Sequence, residues 1–363
     1  MKRFFTRGAL ALCGLFMLMV ASATAQNTDR YVKLNVKQGQ QISIDLKAPS
    51  ANNVVARVVS GSTDVTVEVA YWTFPQDYYA GADTMVIYGD IDGIDCADNG
   101  TKVTGFDASH NDLIEYLDCS GCKIEALNVD NCSKLVSLYC YSNNISVLDI
   151  SDCLLLKEFF CFNNLISEMD LTNHAKIEEI DCHKNNLTTL NVEECVNLIY
   201  LECHQNNFSA NVLDQIYCDL PDLNGELYPG YIVPLKNAQD ANSDIVLSTN
   251  ANNVIEKNWR VVYKDPYLSD IPATTGNFIC QDGVEELNVN NITISIAPNP
   301  AKNMVTIASD DMHAGMMLEI FDAYGRKVYA CEAQSKQEIS VADWTAGLYF
   351  VRMGNKTTKF IKQ

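Results

Sequence analysis

Residues 134–154 read Lys-Leu-Val-Ser-Leu-Tyr-Cys-Tyr-Ser-Asn-Asn-Ile-Ser-Val-Leu-Asp-Ile-Ser-Asp-Cys-Leu. Reduced to a pattern, this is Leu135-x-x-Leu138-x-Cys140-x-x-Asn143-x-Ile145, followed by Leu148-Asp149-Ile150 and Cys153. The flanking sequence repeats it every 21 residues. Cys119, Cys140, Cys161, Cys182 and Cys203 keep that interval, as do Leu117, Leu138, Phe159, Ile180 and Leu201. Asn143, Asn164, Asn185 and Asn206 follow it too, with Cys122 in the equivalent place one turn earlier. A second series holds Cys132, Cys153, His174 and Cys195. An earlier turn starts at Ile94, carries Cys96 and Asn99, and is two residues longer.

One such turn cannot bury its own apolar residues, so the turns must stack, and six suffice for a continuous core. Residues at one phase then form inward columns. The Asn column should face inward at a bend, where its amide can pair backbone groups that the bend leaves open. Cys122 cannot supply all those bonds, which predicts looser packing there.

The pattern resembles the leucine-rich repeat, in the cysteine-rich variety found in surface proteins of Bacteroides-like bacteria. The resemblance covers residues 91–221 and implies a β-rich solenoid with a parallel sheet on one face. Rungs about 4.8 Å apart with parallel inward side chains give poor disulfide torsions. The cysteine columns therefore read as reduced, compact apolar fillers. Cys119-x-x-Cys122 has no second pair to complete a zinc or redox motif.

Outward from the repeats, the chain starts with an expected export signal over residues 1–25. Lys2, Arg3 and Arg7 precede the apolar run Ala9–Val20 and the small-residue site Ala23-Thr24-Ala25. The run is too short to span a bilayer, and Leu10-Ala11-Leu12-Cys13 falls too early for lipidation. Residues 26–90 read as an amino-terminal β unit capping the solenoid. There, Tyr31–Leu46 alternates about Lys37-Gln38-Gly39-Gln40 as a hairpin would, and Val54–Val58 and Val65–Val69 have strand pattern. After the repeats, Val212-Leu213, Ile216-Tyr217 and Leu220 have helical spacing that stops at Pro221. Residues 222–264 read as the closing cap, with strand-like Leu227–Leu235, Ile245–Leu247 and Trp259–Tyr263, and Trp259 buried. Residues 265–291, with Pro266, Pro272 and Gly276, read as a linker.

The stretch 292–363 holds Ala297-Pro298-Asn299-Pro300, Leu318-Glu319-Ile320-Phe321-Asp322, Tyr324-Gly325-Arg326-Lys327-Val328, Ala346-Gly347-Leu348-Tyr349-Phe350-Val351-Arg352 and Lys359-Phe360-Ile361-Lys362. In order and spacing these resemble the carboxyl-terminal sorting domain of type IX secretion substrates. That resemblance implies an Ig-like β-sandwich, recognition by the secretion machinery, and a place outside the cell or on the outer-membrane surface. Physical pattern alone gives a short β-sandwich.

The formal net charge is −20. The first segment contributes three cations and residues 292–363 hold eight Lys/Arg against seven Asp/Glu, so about −24 falls on residues 26–291. Such a body repels phosphate backbones and argues against nucleic-acid binding. No segment after the export signal reads as a membrane span.

Three positions per rung alternate outward. They are Tyr116, Asp118, Ser120; Ser137, Tyr139, Tyr141; Glu158, Phe160, Phe162; Glu179, Asp181, His183; and Tyr200, Glu202, His204. Four aromatics on two neighbouring rungs, rimmed by acids and histidines, form the expected ligand surface. Its candidate residues are Tyr116, Tyr139, Tyr141, Glu158, Phe160, Phe162, Asp181, His183, Tyr200, Glu202 and His204. The expected partner is a protein or another host or bacterial surface component; the alternative is a carbohydrate. A third reading has the amino-terminal unit covering the patch. His183 and His204 beside Asp181 and Glu202 have the residue types of a divalent-metal site, but surface histidines are commoner than ligands, and no metal is expected. There is no serine elbow, phosphate loop or His-Glu-x-x-His, and a flat face does not enclose a carboxylate pair. The expectation is a non-enzymatic adhesin or interaction protein without a cofactor.

Overall fold

The computed structural model describes residues 27–49, 54–265, 268–280, 294–309, 317–322, 326–353 and 356–363. The expected export signal lies outside these residues, as do 266–267 and 281–291 of the expected linker and Tyr324-Gly325 of the tail motif. The chain divides into two compact units, residues 1–280 and 281–363.

In the first unit, eight short parallel strands stack as rungs along one face. They are Gly93–Asp95, Tyr116–Asp118, Ser137–Tyr139, Glu158–Phe160, Glu179–Asp181, Tyr200–Glu202, Gly230–Leu235 and Trp259–Tyr263, here rungs one to eight. The register sets Leu117, Leu138, Phe159, Ile180 and Leu201 side by side, all fully buried. The 21-residue lattice is thus the spacing of one complete turn. Rungs seven and eight break that lattice because helices occupy their turns: α1 (Ala210–Asp219), α2 (Ser243–Leu247) and α3 (Asn252–Ile255). Ser209 caps α1, its hydroxyl accepting from the Val212 N–H, which supplies one open donor of the first turn. Ile245–Leu247 is therefore helix, contrary to its expected strand. Trp259 is buried as expected, and its indole N–H donates to the Pro221 carbonyl at 2.8 Å.

Each bend is held by the asparagine column. The Asn164 amide NH₂ donates to the carbonyls of Cys140 and Cys161 at 2.9 and 3.0 Å, and its oxygen accepts from the Ile145 N–H at 2.9 Å. Asn143, Asn185 and Asn206 make the same three bonds one turn apart. Asn99 makes them to Ser43 and Cys96. At Cys122 a single contact replaces them, its Sγ lying 3.4 Å from the Cys96 carbonyl. The residue before each of these positions is left-handed: Asp98, Gly121, Ser142, Asn163, Lys184 and Gln205 have φ between 55° and 63°. Of these only Gly121 occupies that region without a Cβ penalty.

The cysteine columns are buried and free at Cys96, Cys119, Cys122, Cys140, Cys161, Cys182 and Cys203, and again at Cys132, Cys153 and Cys195. In the second column the sulfurs lie 3.4–3.7 Å from carbonyls of the preceding turn, and His174 keeps the pattern with Nε2 3.1 Å from the Ile150 carbonyl. Burial pushes the thiols of Cys132, Cys153 and Cys195 up to about 12, so they are poor nucleophiles. One disulfide exists among the described residues, Cys218–Cys280, outside the lattice. Thiol titration of the chain 26–363, denatured without reductant, should find eleven thiols and one disulfide. Recovery of almost no thiol would overturn the reduced ladder.

That disulfide also corrects the linker. Residues 268–280 run along the cap: Ile271 N–H donates to Val261 O, Thr275 N–H to Leu247 O and Gly276 N–H to Thr249 O. Asn250 and Asn253 donate to the Phe278 carbonyl. Pro272 and Gly276 belong to an ordered strap, and periodicity is absent because backbone pairing carries it.

The amino-terminal unit contains β1 (Tyr31–Val36), β2 (Gln41–Lys47), β3 (Val54–Ser60), β4 (Thr63–Val69), β5 (Gln76–Tyr79) and β6 (Thr84–Tyr88). The expected Tyr31–Leu46 hairpin does not form. β1 pairs with β6 and with Val103–Asp107, whereas β2 pairs with β5 and rung one. The two strands arch across the core into separate sheets, so the solenoid and this unit share one continuous core. β3 and β4 do form a hairpin.

The second unit is a pair of sheets. Ile294–Ala297, Met304–Ser309 and Lys336–Ser340 form one, and Met317–Asp322, Lys327–Glu332, Gly347–Met353 and Lys356–Lys362 the other. Val305, Ile307, Leu318, Ile320, Tyr349, Val351 and Phe360 fill its separate core, as the expected sandwich requires.

Candidate functional site

On the rung face the pairing places the candidate residues in three columns. Tyr116, Ser137, Glu158, Glu179 and Tyr200 form the first, and Asp118, Tyr139, Phe160, Asp181 and Glu202 the second. Tyr141, Phe162, His183 and His204 continue the third. Rung spacing brings successive rings into contact and makes two ladders. In one, Trp72 meets Tyr116 edge-on at 5.2 Å, Tyr116 meets Tyr139 at 5.5 Å, and Tyr139 meets Phe160 at 5.2 Å. In the other, Tyr141, Phe162, His183 and His204 stack face to face with centroids 4.4, 4.6 and 4.5 Å apart.

These contacts correct the expectation of fully exposed side chains. Tyr139, Tyr141, Phe160 and Phe162 are half-buried, because each ring covers its neighbour's face and leaves mainly an edge to solvent. Tyr116, Tyr139 and Tyr141 phenols are pushed above the ordinary value, first by burial and then by nearby carboxylates. Tyr139 also donates to Glu158, whose carboxylate accepts from Ser137 at 3.1 Å. The amino-terminal unit adds Trp72 at one end of the ladder.

Glu202 and His204 are likewise not surface groups; their side chains are 2% and 3% exposed. Rung seven and Lys264 cover them. Glu202 Oε2 pairs with Lys264 and accepts from the Tyr200 hydroxyl at 2.7 Å. Its Oε1 lies 3.1 Å from His204 Nε2 and 3.5 Å from His183 Nδ1. His183 Nδ1 is also 2.6 Å from Asp181 Oδ1. Burial opposes ionisation of Glu202, but its bonds with His204, Lys264 and Tyr200 outweigh that and hold it below the usual carboxylate range. The sequence reading missed Trp72 and Lys264. Both lie outside the repeat, where no period marks them.

At the other end, burial pushes Asp118 up to about 6, partly offset by the Ser120 hydroxyl and N–H, while Asp95 raises it further. A carboxyl raised in the fold imposes no penalty below about pH 4, where both states hold the proton. The penalty grows as pH rises toward 6 and is complete above it. Asp118→Asn should therefore raise Tm at pH 7.5, with the gain fading toward pH 4. An equal shift at both pH values, or a loss at pH 7.5, would contradict this.

Comparisons with known proteins bear on two parts of the chain. Residues 295–363 match the family described as "Secretion system C-terminal sorting domain". Among solved structures, the chain is similar to the functional domain of InlJ from Listeria monocytogenes, which includes a cysteine ladder. That similarity has 22% identity and a TM-score of 0.37, and covers 55% of this chain and 44% of the other. No curated protein matches the chain. The type IX sorting tail marks the protein for export to the cell surface or for secretion. No helix among the described residues is long and apolar enough to cross a membrane.

Proposed function

We propose that this exported protein is a non-catalytic interaction protein that binds a protein partner at the cell surface through the aromatic rung face. The observation that carries this reading is the pair of ring ladders. A sugar stacks on an open ring face, but Tyr141, Phe162 and His183 are within 7° and 10° of parallel and cover one another's faces. Half-buried rings presenting edges, hydroxyls and carboxylates match the aromatic anchors and polar rim of a protein interface. Carbohydrate is the second reading, and the tilted Tyr116 and Tyr139 rings are what favours it.

Replacing Tyr139, Tyr141, Phe160 and Phe162 together by Ser tests the assignment. Ring pairs contribute about 0.5–1.5 kcal/mol each beyond area burial, so the variant should melt lower yet still cooperatively. Capture of surface proteins by the parent and its loss in the variant are the expected results. Unchanged capture places the site elsewhere, and binding only on a glycan array selects the carbohydrate reading.

A further inference from the structure

The end of the second ladder gathers nitrogen and oxygen donors that the aromatic replacements above leave untouched. His183, Glu202 and His204 each offer one donor atom, and these atoms lie within 4.8 Å of one another. The two separations from Glu202 Oε1 are 3.1 and 3.5 Å. A tetrahedral ion with ligand bonds of about 2.0–2.1 Å sets its ligand atoms about 3.4 Å apart, so the gaps observed already have the span of such a site. Asp181 Oδ1, 2.6 Å from His183 Nδ1, stands where a fourth donor could enter after a small rotation.

We propose that His183, Glu202, His204 and Asp181 bind one divalent transition-metal ion of the zinc class. Two imidazoles and one or two carboxylates suit zinc, copper, nickel or ferrous iron better than calcium or magnesium, which take oxygen sets. The surroundings orient two of the donors, Glu202 and His183. Tyr200 and Lys264 fix Glu202 through Oε2 and leave Oε1 turned toward both rings. Phe162 on one side and His204 on the other hold the His183 ring plane. His183 and Asp181 remain 20% and 15% exposed, which gives an ion its way in. The buried thiols of Cys182 and Cys203 on the same rungs point into the core, opposite to this face, and burial pushes both thiols up.

The competing account is a plain histidine–carboxylate hydrogen-bond network. Cobalt(II) titration of the full exported chain, stripped of metal beforehand, separates the two. The expected result is one equivalent bound with visible ligand-field bands, without the thiolate charge-transfer band that cysteine ligation would give, and a higher Tm with Zn(II). His183→Ala should keep the parent's near-ultraviolet circular dichroism and lose on the order of 100-fold in affinity, a scale that outer-shell changes already approach. Asp181→Asn, a milder change, should weaken binding with the fold intact. No binding by the parent, binding unchanged in both variants, or thiolate bands would each overturn the site. None of these outcomes involves a protein partner, so the site and the interaction surface stand or fall separately.

Discussion

Asn164→Ala should destabilise the first unit by about 3–5 kcal/mol, although it removes only a small polar side chain. The Ile145 N–H, bonded to Asn164 Oδ1 at 2.9 Å inside the stack, would be left without its acceptor. A buried donor stranded this way costs about 1–3 kcal/mol. The Cys140 and Cys161 carbonyls would each keep one amide donor, from Asn143 and Asn185 respectively, so each loses about 1 kcal/mol rather than the full penalty. Asn164→Asp should be at least as damaging despite its matching shape. It preserves the acceptor for Ile145 but aims an oxygen at two carbonyls and buries a charge. Asn186→Ala is the control: that side chain is exposed and its 3.4 Å contact with the Leu165 carbonyl is marginal, so a change within about 0.5 kcal/mol is expected. Denaturant melts of the three variants decide the matter. Equal effects at Asn164 and Asn186 would mean that the column does not hold the bends.

The same column explains how much of the fold was legible in the sequence. Every residue whose surroundings repeat could be placed, because a turn of fixed length imposes a period on Leu138, Cys140 and Asn143 alike. Position along the period also sorted inward from outward residues for Tyr116 through His183, except at Ser120, which was assigned outward and is buried at 1% exposure. It failed at Glu202 and His204 because rung seven and Lys264, which lie beyond the 21-residue lattice, cover them. Half-burial of Phe162 escaped notice for another reason: alternation specifies direction, whereas the stacking depends on which ring occupies the neighbouring rung. At β1 and β2, alternation about a four-residue bend fits a hairpin and an arch equally. Only their partners, β6 and rung one, decide between them. Cys218 and Cys280 lie 62 residues apart with no period to link them.

Removing residues 292–363 should leave the protein in the periplasm with surface display almost abolished, while its repeat unit stays folded. The tail has its own core, built from residues such as Val305, Ile320 and Phe360, and that core shares no member with the core of residues 27–280. Truncation should therefore leave the melt of the repeats nearly unchanged. A point change gives the sharper test. Phe360 is fully buried, with the Tyr349 and Trp344 rings 5.5 and 6.4 Å away. Phe→Ala in a core costs about 3–5 kcal/mol, comparable to the whole stability of a domain this small. Phe360→Ala should thus unfold the sandwich and block export as the deletion does, although every exposed tail residue remains. Lys359→Ala, at an exposed neighbouring position, should not. If Phe360→Ala cells display the protein normally, the machinery reads a linear peptide rather than the folded sandwich. If the full deletion is displayed normally, the sorting role of the tail fails altogether.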